Sequence, residues 1–480
     1  MSNFFWYGGG GSWSDYTNHW SDNSGNSPVS PKADVPTSSD DVFIDALSGF
    51  GAGGTITLDI DITQPCHDFT SSSGDSYTIA QGVGNNFEIY GSLTLESGIT
   101  FSGNITVNMM STDVGETITM GSVNTLTEFV CLGFGGGWTL QDNLTITGEF
   151  YQENGTFDAN DHNVTANDFY FYADTGYTPT VIVGSGTWEA TGTGDVWYID
   201  QWSSQVVTIT PETSTIKISN SSATAKNLWT SVDGGRGSKT YNNIWFTGTG
   251  TGIFSLLGNN TFNDFKVDTP PHTVKFNDGS TTTVTTFTVS GTAGNLITLD
   301  IDFPSGANQF TLSKSSGVVE CDYLDISNSN ATGGATWYAG ANSLDTTNND
   351  GWIFTSAPSP SVSASPSISP SVSASPSISP SVSISPSVSA SPSISPSVSE
   401  SPSISPSVSA SPSISPSVSA SPSISPSVSA SPSVSPSVSA SPSISPSVSA
   451  SPSISPSASA SPSAPPSPEP PHTLASMGVG

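Results

Sequence analysis

The sequence predicts an all-β fold: a parallel β-helix (β-solenoid), followed by a disordered Ser/Pro repeat tail. Short runs of alternating β-branched and aromatic residues, closed by Gly, Asn or Asp, fill the first 355 residues; GTITLDIDIT and QVVTITPETSTIKIS are two of them. Apolar residues do not recur at helical spacing over any useful length. One apolar phrase returns about every 21 residues, which is a solenoid period.

Residues 1–45 are predicted to form an N-terminal Trp/Gly-rich cap and the segment that leads into the body. Trp6, Trp13 and Trp20 are seven residues apart, but Gly8 to Gly11 lie between them. Each glycine would cost about 1 kcal/mol inside a helix. We therefore expect the three rings to fold over the first turn of the solenoid, with sugar stacking on exposed rings as the alternative.

Residues 46–330 are predicted to form the solenoid body, in which apolar side chains at offsets 0, 3 and 5 enter a strand and face inward. The sets with this spacing are Tyr241, Ile244, Phe246; Phe262, Phe265, Val267; Val284, Phe287, Val289; Cys321, Leu324, Ile326; and Ala166, Phe169, Phe171. The alternative fold is two or three β-sandwiches in a row. That fold predicts tight Asn-Gly hairpins, which are scarce here.

The chain ends in three further segments. Residues 331–356 are predicted to be a C-terminal cap containing Trp337 and Trp352. Residues 357–464 form a Ser/Pro-rich low-complexity stalk with serine at every odd position from Ser359 to Ser463. Its regular prolines remove ladder donors, so we expect a semi-extended spacer. Residues 465–480 form a non-repetitive terminal peptide.

Composition limits the classes of partner. The chain has 39 acidic and 8 basic residues and a formal net charge of −31. A nucleic-acid surface needs a basic stripe, so we expect no nucleic acid partner, and no apolar stretch is long enough to insert in a membrane. Three distant cysteines (Cys66, Cys131 and Cys321) are expected to be small buried apolar residues.

Several motifs resemble those of surface β-helix proteins. The opening WYGGGGSWSDYTNHWS and the phrase PTSSDDVFID at 36–45 resemble units that begin repeats in bacterial autotransporter-type adhesins. Together with NGTFDANDHNVT (154–165) and ATWYAGANS (335–343), they also look like large β-helical proteins of environmental bacteria and phages, including tail-fibre-like structural proteins. The resemblance covers about residues 1–355 and implies a structural or adhesive role, without catalytic residues.

The setting that we expect is a virion, or the extracellular or cell surface, without a recognisable signal peptide. A phage structural protein is released by lysis and needs no such signal. The expected partners are cell-surface polysaccharide or other virion proteins, and a homotrimer is an open alternative to a monomer. The candidate carbohydrate-binding residues are Trp197, Tyr198 and Trp202.

The competing function is a polysaccharide-degrading enzyme, a glycosidase or lyase, on the same fold. Two pairs of carboxylates at i and i+2 would share one strand face: Asp59 with Asp61, and Asp300 with Asp302. A solvated outer face with inward Leu and Ile is the favoured explanation of both pairs.

No cofactor is expected, with calcium as the alternative. Turns rich in oxygen ligands contain Asp345 and Asp350 in DTTNNDGW, and Asp158 and Asp161 in DANDHN. Neither turn matches the EF-hand spacing, and Asp and Asn are common in ordinary turns.

Overall fold

Strands make up most of the part of the chain that the computed structural model describes. This part comprises residues 1–25, 30–51, 53–60, 63–83, 86–202, 204–232, 235–248, 251–302 and 308–359. A single short helix, α1 (Tyr16–His19), is found in it. The strands of the first part are β1 (Asn3–Trp6), β2 (Gly11–Ser12), β3 (Trp20–Ser21), β4 (Asp41–Asp45), β5 (Thr55–Leu58), β6 (Thr63–Cys66), β7 (Phe69–Ser72), β8 (Tyr77–Gln81), β9 (Asn86–Ile89), β10 (Leu93–Thr94), β11 (Ile99–Ser102), β12 (Thr106–Met109) and β13 (Val114–Thr119).

Two further groups complete the set. The middle strands are β14 (Glu128–Cys131), β15 (Gly137–Leu140), β16 (Leu144–Thr145), β17 (Glu149–Gln152), β18 (Thr156–Asp158), β19 (Val164–Ala166), β20 (Asp168–Ala173), β21 (Thr180–Ile182), β22 (Thr187–Ala190), β23 (Gly194–Gln201), β24 (Thr208–Thr210), β25 (Thr215–Ile218), β26 (Lys226–Val232) and β27 (Gly235–Arg236). The last strands are β28 (Ser238–Thr240), β29 (Asn243–Phe246), β30 (Ile253–Leu257), β31 (Asn259–Val267), β32 (Thr273–Asn277), β33 (Thr281–Val289), β34 (Ile297–Asp302), β35 (Phe310–Ser313), β36 (Val318–Glu320), β37 (Leu324–Ser327), β38 (Ser329–Thr332), β39 (Thr336–Tyr338), β40 (Leu344–Thr347) and β41 (Trp352–Ile353).

These strands form five sheets, which we number in the order in which the chain first enters them. Sheet I has the order β24-β21-β18-β15-β13-β10-β7-β4-β1-β3, and sheet II has β11-β8-β5-β2. Sheet III has β40-β37-β34-β32-β30-β26-β23-β20-β17-β14-β12-β9-β6, with β27 added to β26. Sheet IV has β16-β19-β22-β25-β29-β31-β33-β35-β38, with β28 added to β31, and sheet V has β36-β39-β41.

The chain visits the sheets in rotation. From β4 to β13 it runs through sheets I, II and III in turn, and each strand from β4 to β10 pairs in parallel with the strand one turn later. Among the strand pairs that the structure describes, only β1 with β3 and β26 with β27 are antiparallel. Most parallel partners lie about 20 to 30 residues apart, within the range of solenoid repeats. The all-β prediction is confirmed, and this parallel pairing is compatible with the predicted β-solenoid.

One continuous hydrophobic core lies inside the sheets. Alternate residues of a strand face it because successive side chains point to opposite sides of a sheet. In β17, Phe150 is fully buried while Glu149 and Tyr151 are half-buried. Along the chain, the core residues extend from Phe4 to Trp352.

The predicted repeat is confirmed where it was most regular. Ile244 pairs with Phe265 and Phe265 with Phe287, so the three sets from Tyr241 to Val289 stack in register on sheet IV. The other two sets follow the same inward pattern on a different sheet. Leu324 pairs with Ile297, and Phe169 pairs with Phe150, both on sheet III.

Tryptophans are buried at both ends of this core. Trp6 and Trp13 each lie 4.9 Å from Trp20 between ring centroids, both in edge contact. At the other end, Trp337 and Trp352 lie 5.3 Å apart. Glycines 8 to 11 fall outside the only helix described, as their helix cost predicts.

Three further predictions concern the cysteines, membrane-spanning segments and the C-terminal part of the chain. The cysteines are free and buried, as expected. No helix in the described ranges is long and apolar enough to cross a membrane. The predicted disordered Ser/Pro stalk (357–464) falls outside the described residues beyond 359, as does the terminal peptide (465–480).

Candidate functional site

A row of aromatic side chains crosses the outer face of sheet III. Its members are Tyr151 on β17, Tyr170 on β20, Tyr198 on β23 and Trp229 on β26, and we call them the aromatic row. Each pairs in register with the next. The row exists because the parallel strands hold equivalent positions at the strand spacing of about 4.8 Å.

The neighbouring residue on each strand explains the outward direction of these rings. Phe150, Phe169 and Trp197 point into the core and are fully buried. The next side chain must then point outward, and all four members of the row are half-buried. Polar-tipped aromatics suit this position, since a ring can pack along its neighbours while its hydroxyl stays in water.

The rings stack on one another. The centroids of Tyr151 and Tyr170 are 5.1 Å apart at an interplanar angle of 19°, and those of Tyr170 and Tyr198 are 4.9 Å apart at 28°. Trp229 lies 5.2 Å from Tyr198 and is tilted by 55°. Neighbouring rings therefore cover much of each other's faces, so a ligand lying along the row would meet ring edges and phenol hydroxyls.

Carboxylates line one side of the aromatic row, two residues before each of the first two tyrosines. Glu149 pairs with Asp168 across adjacent strands. Burial, followed by the charges of Glu128 and Asp168, raises the pKa of Glu149 to about 7. Burial, followed by the charge of Asp195, raises the pKa of Asp168 to about 6. Near neutral pH this side therefore holds a proton that ordinary carboxyl groups would have lost.

More acidic groups lie on the opposite side of the row. Tyr172 pairs with Asp200, and its hydroxyl donates a hydrogen bond to Asp174 Oδ2 at 3.1 Å. Burial, followed by the charge of Asp174, raises the pKa of Asp200. The row thus lies between two bands of hydrogen-bond acceptors, in a chain of net charge −31.

The three predicted carbohydrate-binding residues occupy different environments. Tyr198 is a member of the aromatic row. Trp202 follows β23 and is 53% exposed. Trp197 is fully buried among Phe169, Phe171 and other core rings, so its ring is not available at the surface. Because successive side chains point to opposite faces of a strand, Trp197 and its neighbour Tyr198 lie on different faces of sheet III. Trp197 is therefore not part of the candidate carbohydrate-binding surface.

The structure describes three of the four carboxylates considered for an enzyme. Asp59 Oδ2 accepts a hydrogen bond from Ser14 Oγ at 2.6 Å, while Asp61 lies outside the described residues. Asp300 and Asp302 share the outer face of β34, and Asp300 Oδ1 accepts a hydrogen bond from Asn328 Nδ2 at 3.0 Å.

Each of the four aspartates considered for calcium accepts a hydrogen bond from another part of the protein. Asp158 Oδ1 accepts from the backbone N–H of Asn160, and Asp161 Oδ1 from that of Ser185. Asp345 Oδ1 accepts from Asn349 Nδ2, and Asp350 Oδ2 from Gln309 Nε2. The Asp158 contact is an ordinary Asx-type turn, whereas the Asp161 and Asp350 contacts join parts of the chain that are 24 and 41 residues apart.

Sequence reasoning missed most of the aromatic row: Tyr151, Tyr170 and Trp229, with Glu149 and Asp168 beside them. Their signal was present in the phrases EFYQ, DFYFYA, VWYID and NLWTSV, in each of which an outward aromatic ring follows an inward apolar residue. The turns between these strands differ in length, so the sequence alone does not show that the four rings are in register.

In comparisons with known proteins, no family model, no curated protein and no solved structure matches the chain.

Proposed function

We propose that this chain is a non-catalytic structural or adhesion protein of a virion or an extracellular surface, and that its aromatic row binds carbohydrate. The supporting observation is the row itself, with four aromatic rings in register across four adjacent strands. The first part of the proposal is the fold: residues 1–356 form a parallel β-solenoid whose Trp-rich ends act as caps. Buried tryptophans at both ends support this, because an uncapped solenoid exposes its core.

The proposed ligand is a neutral glycan chain that lies along the aromatic row. Phenol hydroxyls both donate and accept hydrogen bonds, and the flanking carboxylates accept them from sugar hydroxyls. The ring edges offer apolar contact for sugar C–H groups. An anionic glycan would be repelled by the carboxylates on both sides of the row.

A purely architectural role for the row is the main competing explanation. Stacked aromatic pairs contribute about 0.5–1.5 kcal/mol beyond their buried area, so the row stabilises sheet III whether or not it binds a ligand. The hydroxyl groups distinguish the two roles, because stacking requires only the rings, whereas the proposed glycan contacts also use the hydroxyls.

The first test therefore replaces hydroxyls and keeps rings. We expect the triple variant Y151F/Y170F/Y198F to melt within about 2 °C of the wild type but to lose retention in gels that contain a neutral polysaccharide. Tyr338→Phe, a half-buried tyrosine on β39 in sheet V, is the matched control and should be retained as the wild type is.

Two results would count against this proposal. Equal retention of the triple variant and the wild type would leave the row with an architectural role only. Release of new reducing ends by the wild type, lost in Glu149→Gln, would favour the enzyme. A specific observation keeps that alternative open: Glu149 and Asp168 are cross-strand neighbours, and the pKa of Glu149, raised to about 7 by burial and then by nearby carboxylates, suits a general acid.

The Ser/Pro stalk and the surroundings of the protein complete the proposal. From its composition alone, the Ser/Pro repeat is proposed to be a spacer. Cell-surface polysaccharide or other virion proteins are the proposed partners, with a homotrimer as the proposed alternative to a monomer.

A further inference from the structure

A second cluster of polar groups lies far along the chain from the aromatic row, at the corner where the chain passes from sheet III to sheet I. Asp41 begins β4, while His67 and Asp68 fill the two positions between β6 and β7. Val42 pairs with Phe69, so this corner stacks directly on the start of β4 one turn earlier. The stacking brings together three side chains from two turns of the chain.

The three side chains direct their ligand atoms toward one point. His67 Nδ1 lies 3.0 Å from Asp41 Oδ1 and 3.3 Å from Asp68 Oδ1, and all three atoms lie within 4.8 Å of one another. One imidazole nitrogen carries at most one proton, so it can make only one full hydrogen bond where two carboxylates face it. A divalent cation at this point would satisfy all three groups.

The backbone holds the carboxylates in place. The N–H of Ser92 donates to Asp68 Oδ1 at 2.7 Å, and the N–H of Asp68 donates to Asp41 Oδ1 at 3.3 Å. A Cβ atom at Gly91 would lie 2.1 Å from Asp68 Oδ1 and 3.0 Å from His67 Cε1. The glycine therefore leaves the space beside the cluster free of a side chain.

The cluster is accessible to an ion from solution. The side chains of His67 and Asp41 are each 19% exposed and that of Asp68 is 39% exposed. Within the described residues, no other group of three His, Cys, Asp or Glu side chains brings its ligand atoms this close.

We propose that Asp41, His67 and Asp68 bind one divalent metal ion of the Zn²⁺ class. An imidazole nitrogen with carboxylate oxygens is a ligand set that zinc accepts, with water in the remaining position, whereas calcium and magnesium prefer oxygen ligands alone. The ion would join two successive turns near the N-terminal end of the core. This site does not depend on carbohydrate binding.

The test is calorimetric titration of the full chain with Zn²⁺ after dialysis against a chelator. We expect one strong site in the wild type and in His162→Ala, the matched control that removes a histidine from an ordinary turn. In His67→Ala and Asp68→Asn, the affinity should fall by more than the about 10- to 100-fold that loss of an outer-shell partner costs. Melting curves without metal check that each variant folds, and Asp68→Asn carries the test should His67→Ala not fold.

Three outcomes would overturn the proposal. The first is the absence of strong Zn²⁺ binding by the wild type. The second is unchanged affinity in both cluster variants, which would place the ion elsewhere. The third is Ca²⁺ binding as tight as Zn²⁺ binding, since that would show that carboxylates alone hold the ion.

Discussion

At the scale of single residues, Glu149 has an environment unlike that of an ordinary surface carboxylate. It lies beside the aromatic row, with Glu128 and Asp168 on the adjacent strands. Burial and these two charges raise its pKa from 4.5 to about 7. The folded protein thus retains a proton that the unfolded chain releases between these pH values, and the stability of the fold depends on that proton.

The pH dependence has a definite sign. Because the folded pKa of Glu149 lies above the unfolded one, its contribution to stability is present below pH 4.5 and is lost as the pH rises toward about 7. We expect Glu149→Gln to melt about 2 °C above the wild type at pH 8 and at nearly the same temperature at pH 4. Glu320→Gln, at an exposed position of β36, is the control. A difference that did not change with pH would contradict this account of Glu149.

Prediction from the sequence correctly placed one member of the aromatic row, Tyr198, at the surface. It wrongly placed the neighbouring Trp197 there as well. Trp197 and Tyr198 are equally aromatic in the sequence, and only the phase of the strand decides which one faces the core. A one-residue change of phase exchanges the two faces, and the bulge between Asp195 and Trp197 makes that phase hard to predict.

At the scale of single strands, adjacent positions of β17 contribute differently to the free energy of unfolding. Phe150 packs against rings of four other strands, including Phe129 at 5.9 Å and Trp188 at 5.5 Å between centroids. Tyr151 on the other face stacks on Tyr170 alone in its row. Inward residues should therefore dominate the free energy of unfolding.

Two substitutions on β17 measure this difference. Phe150→Ala should reduce the free energy of unfolding by about 3–5 kcal/mol, because it opens a cavity among rings. Tyr151→Ala should cost less, about 1–2 kcal/mol, because it removes one stacked pair and the apolar area of a ring that is only half-buried. Urea denaturation of both variants checks the prediction. Equal losses would mean that the two faces of β17 are wrongly assigned.

Strand-scale prediction succeeded where turns were short and of constant length. The three sets from Tyr241 to Val289 are separated by nearly equal intervals, and they stack as predicted. The set that begins at Cys321 has the same offsets but belongs to another sheet. Offsets within one strand show which side chains face inward, whereas the choice of sheet depends on how many strands the chain forms between two repeats.

At the scale of the whole molecule, the sequence was sufficient for the all-β class, because alternation and glycine-rich turns occur throughout the first 355 residues. The aromatic row and the Asp41–His67–Asp68 cluster required the structure. Both bring together residues from separate turns of the chain, and turns of unequal length conceal such neighbours in the sequence.

Hydroxyl-radical footprinting by mass spectrometry tests most directly whether a glycan lies along the aromatic row. The protein is oxidised with and without the neutral polysaccharide that retains it in gels, with Tyr338 as an internal reference. We expect the ligand to protect the aromatic row (Tyr151, Tyr170, Tyr198 and Trp229) from oxidation and to leave the oxidation rate of Tyr338 unchanged. Protection elsewhere on the surface, with the row still oxidised at its original rate, would contradict it.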